Sequence, residues 1–257
     1  MTILYDQLLV FLFLLTRCSG IFVFTPFWGS LNIPVQVRIL LSAALSYLFA
    51  WSFRLPQPAV PWTPGYILLG LGGELIIGMA IGFAVHVLFA GLECAGQIMG
   101  FQMGLSLVNT VDPQTSNRSS TLSVYQAQLG LMLFLGVSAH HWFIRAIADS
   151  LTVLPPYSIT IGQQFILKMT NLAAQVFVIG FQIAAPVTAV LILTDIALGF
   201  VGRSAPQIHI LVIGFPLKVL AGMSALGLAL YFFPAAMRMY SLRAQHDIEN
   251  IIQLLRK

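Results

Sequence analysis

His140 and His141, with Asp149 downstream, are the first residues that could hold a metal ion. Neighbouring side chains on a helix point about 100° apart, so this pair is poorly set to share one ion. Asp149 is not placed to complete the set. Gly70-Leu71-Gly72-Gly73 resembles a glycine loop for phosphate, yet no strand pattern precedes it and no Lys-Ser/Thr pair follows it. Nowhere does a nucleophile stand at a sensible spacing from a base and an oxyanion donor. Cys18 and Cys94 are isolated in apolar stretches and read as small buried hydrophobes. The sequence thus predicts no catalytic, cofactor or metal site.

The informative residues are charges and small side chains in apolar surroundings. Arg17, Arg38, Glu74, Arg145, Lys168, Asp195 and Lys218 lie within or at the edges of long apolar runs. At a bilayer centre each costs roughly 2.5–3.5 kcal/mol. They must pair, snorkel, line water or pack against other chains, and Asp195 with Lys168 or Lys218 is the expected pair. Gly96, Gly100 and Gly104 recur every four residues and form a smooth helix ridge against which another backbone can pack. Met99 and Met103 lie beside it, flexible enough to seal a conduit. Gly70, Gly78 and Gly82 form a similar ridge around Glu74. The first ridge leads directly into Met103, Gly104, Leu105, Ser106, Leu107, Val108, Asn109, Thr110, Val111, Asp112 and Pro113. That stretch is too polar for lipid, and irregular backbone at membrane depth must be buried in protein or line a cavity.

The elements that carry these residues are helices. Of 257 residues only 8% are charged and 58% are hydrophobic, and the mean hydropathy is +0.91. A water-facing surface needs far more charge than this. Runs near 8–24, 35–53, 66–92, 122–147, 165–200 and 208–240 are apolar enough for spanning helices. Period-2 alternation is weak, which disfavours a β-barrel. The fold class is therefore all-α, a multi-helix membrane-type protein with broken helices and helical hairpins. The 165–200 run is long enough for a break or a helix pair at Pro186. The first run lacks a basic segment before it and a small-residue cleavage site after it, so it reads as a retained helix. Pro56, Pro58, Pro61 and Pro64 form a stiff connector, as does Pro155-Pro156. Residues 238–257 turn polar with interspersed Leu and Ile, the pattern of an amphipathic helix at a membrane surface. No polar linker divides the chain, so 1–257 reads as a single domain. The net charge of +4 comes from scattered residues without an aromatic-basic patch, which argues against nucleic acid.

Gly202-Arg203-x-x-Pro206-Gln207, followed by Ile213-Gly214-Phe215-Pro216-Leu217-Lys218, resembles the C-terminal signature of the FliR family of flagellar export proteins. That family includes the T subunit of virulence type III secretion systems. The resemblance extends through Gly100-Phe101-Gln102-Met103-Gly104-Leu105-Ser106, Val111-Asp112-Pro113, Pro26, Ile33-Pro34 with Arg38, and the stretch from Gly136 to His141. It covers nearly the whole chain, and the wording around Gln102–Ser106 and His140-His141 favours the flagellar branch. The resemblance implies one subunit of an export gate in the bacterial inner membrane, within the flagellar basal body. It implies several copies each of FliP and FliQ as partners, FlhB and FlhA as neighbours, and unfolded flagellar subunits as cargo. It further implies a helical pore assembly, a pore plug after the Gln-Met-Gly motif, and a core lying largely above the membrane plane. Gly96, Gly100, Gly78, Gly82 and Glu74 are the expected assembly residues. Two other functions stay open at this point, the virulence subunit of the same family and a small-solute secondary transporter. The latter predicts matched breaks in two repeated halves, and no convincing repeat is present.

Overall fold

The computed structural model describes residues 2–26, 33–52, 63–105, 120–155, 161–205, 207 and 210–256. These residues are almost entirely helical, and no strand occurs among them. In chain order the helices are α1 (Thr2–Phe24), α2 (Val35–Ser52), α3 (Pro64–Gln102), α4 (Thr121–Gly136), α5 (Ala139–Val153), α6 (Gln163–Ser204), α7 (Ile210–Ala229) and α8 (Phe233–Leu255). A single 3-10 turn, Leu230–Phe232, leads into α8.

Local chemistry sets most of the boundaries. Pro64 opens α3, where its missing N–H is no loss, and the Thr63 carbonyl accepts from Tyr66 and Ile67 at 3.1 and 3.3 Å. The helix runs well past the expected end near Leu92, because Glu93 and Gln97 are good helix formers and close packing at Gly96 and Gly100 offsets the low helix propensity of glycine. It stops at Gly104, whose φ of 79° only glycine adopts cheaply. There the Leu105 N–H donates to the Gly100 carbonyl and the Gly104 N–H to the Phe101 carbonyl, each at 3.0 Å. These crossed bonds are a Schellman closure. Ser120 caps α4, its hydroxyl accepting from the Ser123 N–H at 3.1 Å.

Two expectations about breaks need correction. The run 122–147 is not one helix. It breaks between α4 and α5 at Ser138, which takes a left-handed φ of 57°. Conversely, Pro186 does not break α6, which is continuous over 42 residues. The Thr188 hydroxyl donates to the Ala184 carbonyl at 2.5 Å and to that of Ala185 at 3.2 Å. Pro186 leaves the Gln182 carbonyl without its helical donor, a loss that apolar helices tolerate where local adjustment or neighbouring groups compensate.

The contacts of the chain fall into two compact units. The first comprises Met1–Val87, Ser138–Ala173 and Ser241–Lys257, the second Leu88–Val137 and Ala174–Tyr240. In the first unit α1 packs on α2, and the buried side chains include Phe13, Leu14, Ile77, Ile81, Leu151 and Leu154. The C-terminal half of α8 belongs to this unit and does not leave its apolar stripe for a membrane surface. Ala244, Ile248, Ile251, Ile252 and Leu255 are all buried in protein. The second unit is centred on Ala95, Met99 and Met103 of α3, Leu122 of α4, Ala184, Val187 and Leu191 of α6, and Leu226 of α7.

Five helical segments among the described residues are long and apolar enough to cross a membrane, and six if α4 and α5 form one broken span. Much of their apolar surface is uncovered. Trp51, Phe181, Leu193, Phe200, Leu220 and Tyr231 are all exposed.

Candidate functional site

Four groups of sequence-predicted residues have defined geometry. In the first unit, the ridge on α3 lies directly against α1. A Cβ on Gly78 would collide with the backbone oxygen of Arg17, and one on Gly82 would come within 2.6 Å of the Ile21 oxygen. Only glycine permits this separation. One turn from Gly78, Glu74 is enclosed and receives the Arg17 Nε–H at 2.5 Å. The remaining Arg17 donors reach the end of α5, Nη1 to the Ser150 carbonyl at 3.1 Å and Nη2 to the Leu154 carbonyl at 3.0 Å. The Leu154 carbonyl lies past the helix end, where carbonyls lack intrahelical partners, the Ser150 carbonyl also accepts from the Leu154 N–H at 2.9 Å, and a cation there meets the negative pole of the helix. Arg17 is wholly buried, so one guanidinium joins α1, α3 and α5.

Composition flags both members of this pair, but periodicity does not pair residues 57 positions apart. The other charges are resolved similarly. Lys218 binds Asp195 at 2.5 Å, one of the two expected pairings. Lys168 instead binds Asp247 at 2.6 Å and ties α6 to the tail of α8 within the first unit. The Arg38 guanidinium donates back to the Ile33 carbonyl at 3.1 Å. Arg145 faces outward, 83% exposed, with Asp149 at 3.9 Å one turn away. His140 and His141 stack with ring centres 4.2 Å apart. Among the described residues no group of three metal-binding side chains converges.

In the second unit the ridge of α3 meets the first turn of α4. A Cβ on Gly96 would lie 2.5 Å from the Ser123 Cα, and one on Gly100 would lie 2.9 Å from the Ser120 hydroxyl oxygen. Met99 and Met103 are fully buried. Met103 fills the space above Gly222 of α7, where an added Cβ would come 2.8 Å from the Met103 Cγ. Both methionines therefore serve the core of the unit. Leu105 is partly buried against the same core. Of the expected plug, Met103, Gly104 and Leu105 are placed, whereas Ser106, Leu107, Val108, Asn109, Thr110, Val111, Asp112 and Pro113 lie outside the described residues.

The C-terminal motif surrounds the junction of α6 and α7. Arg203 stands exposed in the last turn of α6, suited to the helix C-terminus. Gln207 lies in a turn, and Pro206 is outside the described residues. Pro216 sits inside α7 and Lys218 half a turn beyond it, bonded to Asp195 of α6. The motif thus ends in an ion pair joining two apolar helices. The two side chains are 29% and 41% exposed.

Comparison with known proteins identifies the family. Residues 8–243 match the family described as "Bacterial export proteins, family 1". The flagellar biosynthetic protein FliR of Bacillus subtilis is 32% identical over 225 residues, covering 85% of each chain. Its Escherichia coli counterpart is 30% identical over 241 residues, covering 94% of this chain and 89% of that protein. The same-named protein of Caulobacter vibrioides is 30% identical over 229 residues, 87% of this chain and 89% of the other. The match runs from the middle of α1 into the C-terminal half of α8 and takes in every motif described above, and on that basis this chain belongs to bacterial export protein family 1, with flagellar FliR proteins as its relatives.

Proposed function

We propose that this chain is a core subunit of the flagellar type III export gate in the bacterial inner membrane. There it joins several copies each of FliP and FliQ to form the channel for unfolded flagellar subunits, with FlhB and FlhA as neighbours. The observation that carries the reading is the combination of bare apolar helices with a charged pair among them. Phe181, Leu193 and Phe200 of α6 and Leu220 of α7 are exposed, yet Asp195 and Lys218 interrupt this surface half-exposed. Apolar area of this extent marks an interaction surface. A charged pair on it is better accommodated by polar groups of other subunits than by hydrocarbon.

Within such a gate, the segment from Met103 to Pro113 is the plug. The glycine closure of α3 at Gly104 fixes where the chain leaves the helix, so the residues that follow start from a defined point on the second unit. Gly96, Gly100, Gly78 and Gly82 act by holding the subunit's own helices together, and Glu74 by its bond to Arg17. Their contribution to assembly is then indirect, through the shape of the subunit.

Deleting the gene and measuring secretion of flagellar subunits tests the reading. Loss of secretion and motility, restored by the wild-type chain, is expected. Normal secretion in the deletion strain would refute it. Removing residues 105–110 tests the plug separately and should leave an assembled complex with raised ion conductance.

A further inference from the structure

Helix α4 meets α3 along a single stripe within the second unit. Ser123 lies on Gly96, and Gly130 lies on Leu92. Gln126 stands between these contacts, one helical turn from each, which puts it on the same face. It is 1% exposed. The serines nearby are satisfied locally. The Ser123 hydroxyl donates to the Ser120 carbonyl at 2.7 Å, and the Ser120 hydroxyl reaches the Gly96 carbonyl at 3.4 Å. Gln126 differs, because among the described residues neither its amide nitrogen nor its amide oxygen has a hydrogen-bond partner.

A primary amide carries two donors and two acceptor lone pairs. Enclosing it without partners forfeits its hydration and returns nothing. Methionine has nearly the same shape and would fill the position without that penalty. The penalty is present while α4 lies on α3 and is relieved when the two helices part and the amide meets water. The rest of the contact is held by apolar side chains, with Leu92 seated on Gly130 and Phe134 of α4 meeting Phe89 of α3 edge-on at 5.4 Å, so the buried amide works against a contact that these groups favour.

We propose that the α3–α4 stripe is a latch kept deliberately weak by Gln126. In the closed gate α4 rests on Gly96 and Leu92, and opening moves α4 off α3 and hydrates the Gln126 amide. This inference rests on the export-gate reading.

The test uses Gln126→Met, Gln126→Leu and Gln126→Glu in the full chain, assembled with FliP and FliQ. Gln126→Met should raise the thermal midpoint of the complex by about 2–4 °C and lower secretion of flagellar subunits at least about five-fold. Gln126→Leu should act in the same direction. Gln126→Glu, harder still to bury, should lower the midpoint and raise resting ion conductance. A raised midpoint with unchanged secretion overturns the latch, since the amide would then be a static cost. Unchanged midpoint and secretion in Gln126→Met overturn it as well. So does failure of Gln126→Met to assemble, because the amide would then make a contact that the folded state needs. Intact secretion after deletion of the whole gene is a different result, and it defeats the gate reading itself.

Discussion

Replacing Arg17 by methionine removes the joint between α1, α3 and α5 while keeping most of the side-chain volume. Three consequences follow from the geometry. Glu74, 1% exposed, loses its 2.5 Å donor. The Leu154 carbonyl loses its donor at 3.0 Å, while the Ser150 carbonyl loses the one at 3.1 Å and keeps the Leu154 N–H. The α5 terminus loses a cation at its negative pole. Removing one member of a fully buried pair costs roughly 3–5 kcal/mol. At roughly 2–4 °C per kcal/mol for a chain of this size, the thermal midpoint should fall by roughly 6–20 °C. The double variant Arg17→Met/Glu74→Met should recover more than half of that loss, since no uncompensated charge remains. It should not recover all of it, because the Leu154 carbonyl still lacks the Arg17 donor, at about 1 kcal/mol. Circular-dichroism melts of the purified chain in detergent measure both. A single variant that melts within about 3 °C of wild type, or a double variant worse than the single, would refute the joint.

Gly96→Ala should destabilise the second unit by about 1–3 kcal/mol and exceed Gly100→Ala. The first new methyl group meets the Ser123 backbone, whereas the second meets the Ser120 side chain, which can turn away; comparative melts of the two variants decide this. Ser138→Gly should raise the midpoint, because a left-handed conformation at φ 57° costs a non-glycine residue about 1–2 kcal/mol; an unchanged or lower melt contradicts the strain. Asp195→Asn should change the melt of the isolated chain little, since a half-exposed pair is worth up to about 1 kcal/mol. The same variant should clearly reduce the yield of complex with FliP and FliQ if that surface is covered by partners, and pull-down yields read this out.

Helix content and the membrane-type character were legible in the sequence because composition and apolar run length carry them directly. The ridge glycines were legible too, since spacing by four puts Gly78 with Gly82 and Gly96 with Gly100 on single faces. Their partners were not. Nothing in the sequence brings Gly78 to α1 and Gly96 to α4 within the same chain, because packing partners are set by tertiary contacts between distant segments. The pairing of charges was legible in kind but only partly in detail. Asp195 with Lys218 was one of two expected pairs, but Arg17 with Glu74 and Lys168 with Asp247 bridge positions 57 and 79 residues apart. The break at Ser138 was missed although Gly136 stands two residues before it, because the residue that takes the left-handed conformation is a serine. The continuity of α6 through Pro186 was missed because a proline breaks a helix only where the lost hydrogen bond and the ring clash are not absorbed by local adjustment and packing. The tail of α8 has the alternation of a membrane-surface helix, and a helix that buries the same stripe in protein has that alternation too. Gln126 could have been noticed as one of two amides, with Gln128, in the first half of α4, but its burial without a partner among the described residues depends on the fold.

The most direct test of the export-gate assignment is the composition of the complex this chain forms. The tagged chain, expressed with FliP and FliQ from the same bacterium, is to be extracted in mild detergent and weighed by native mass spectrometry. The account predicts one assembly in which a single copy of this chain carries several copies of each partner. Recovery of the chain alone, or with neither partner bound above background, would contradict it.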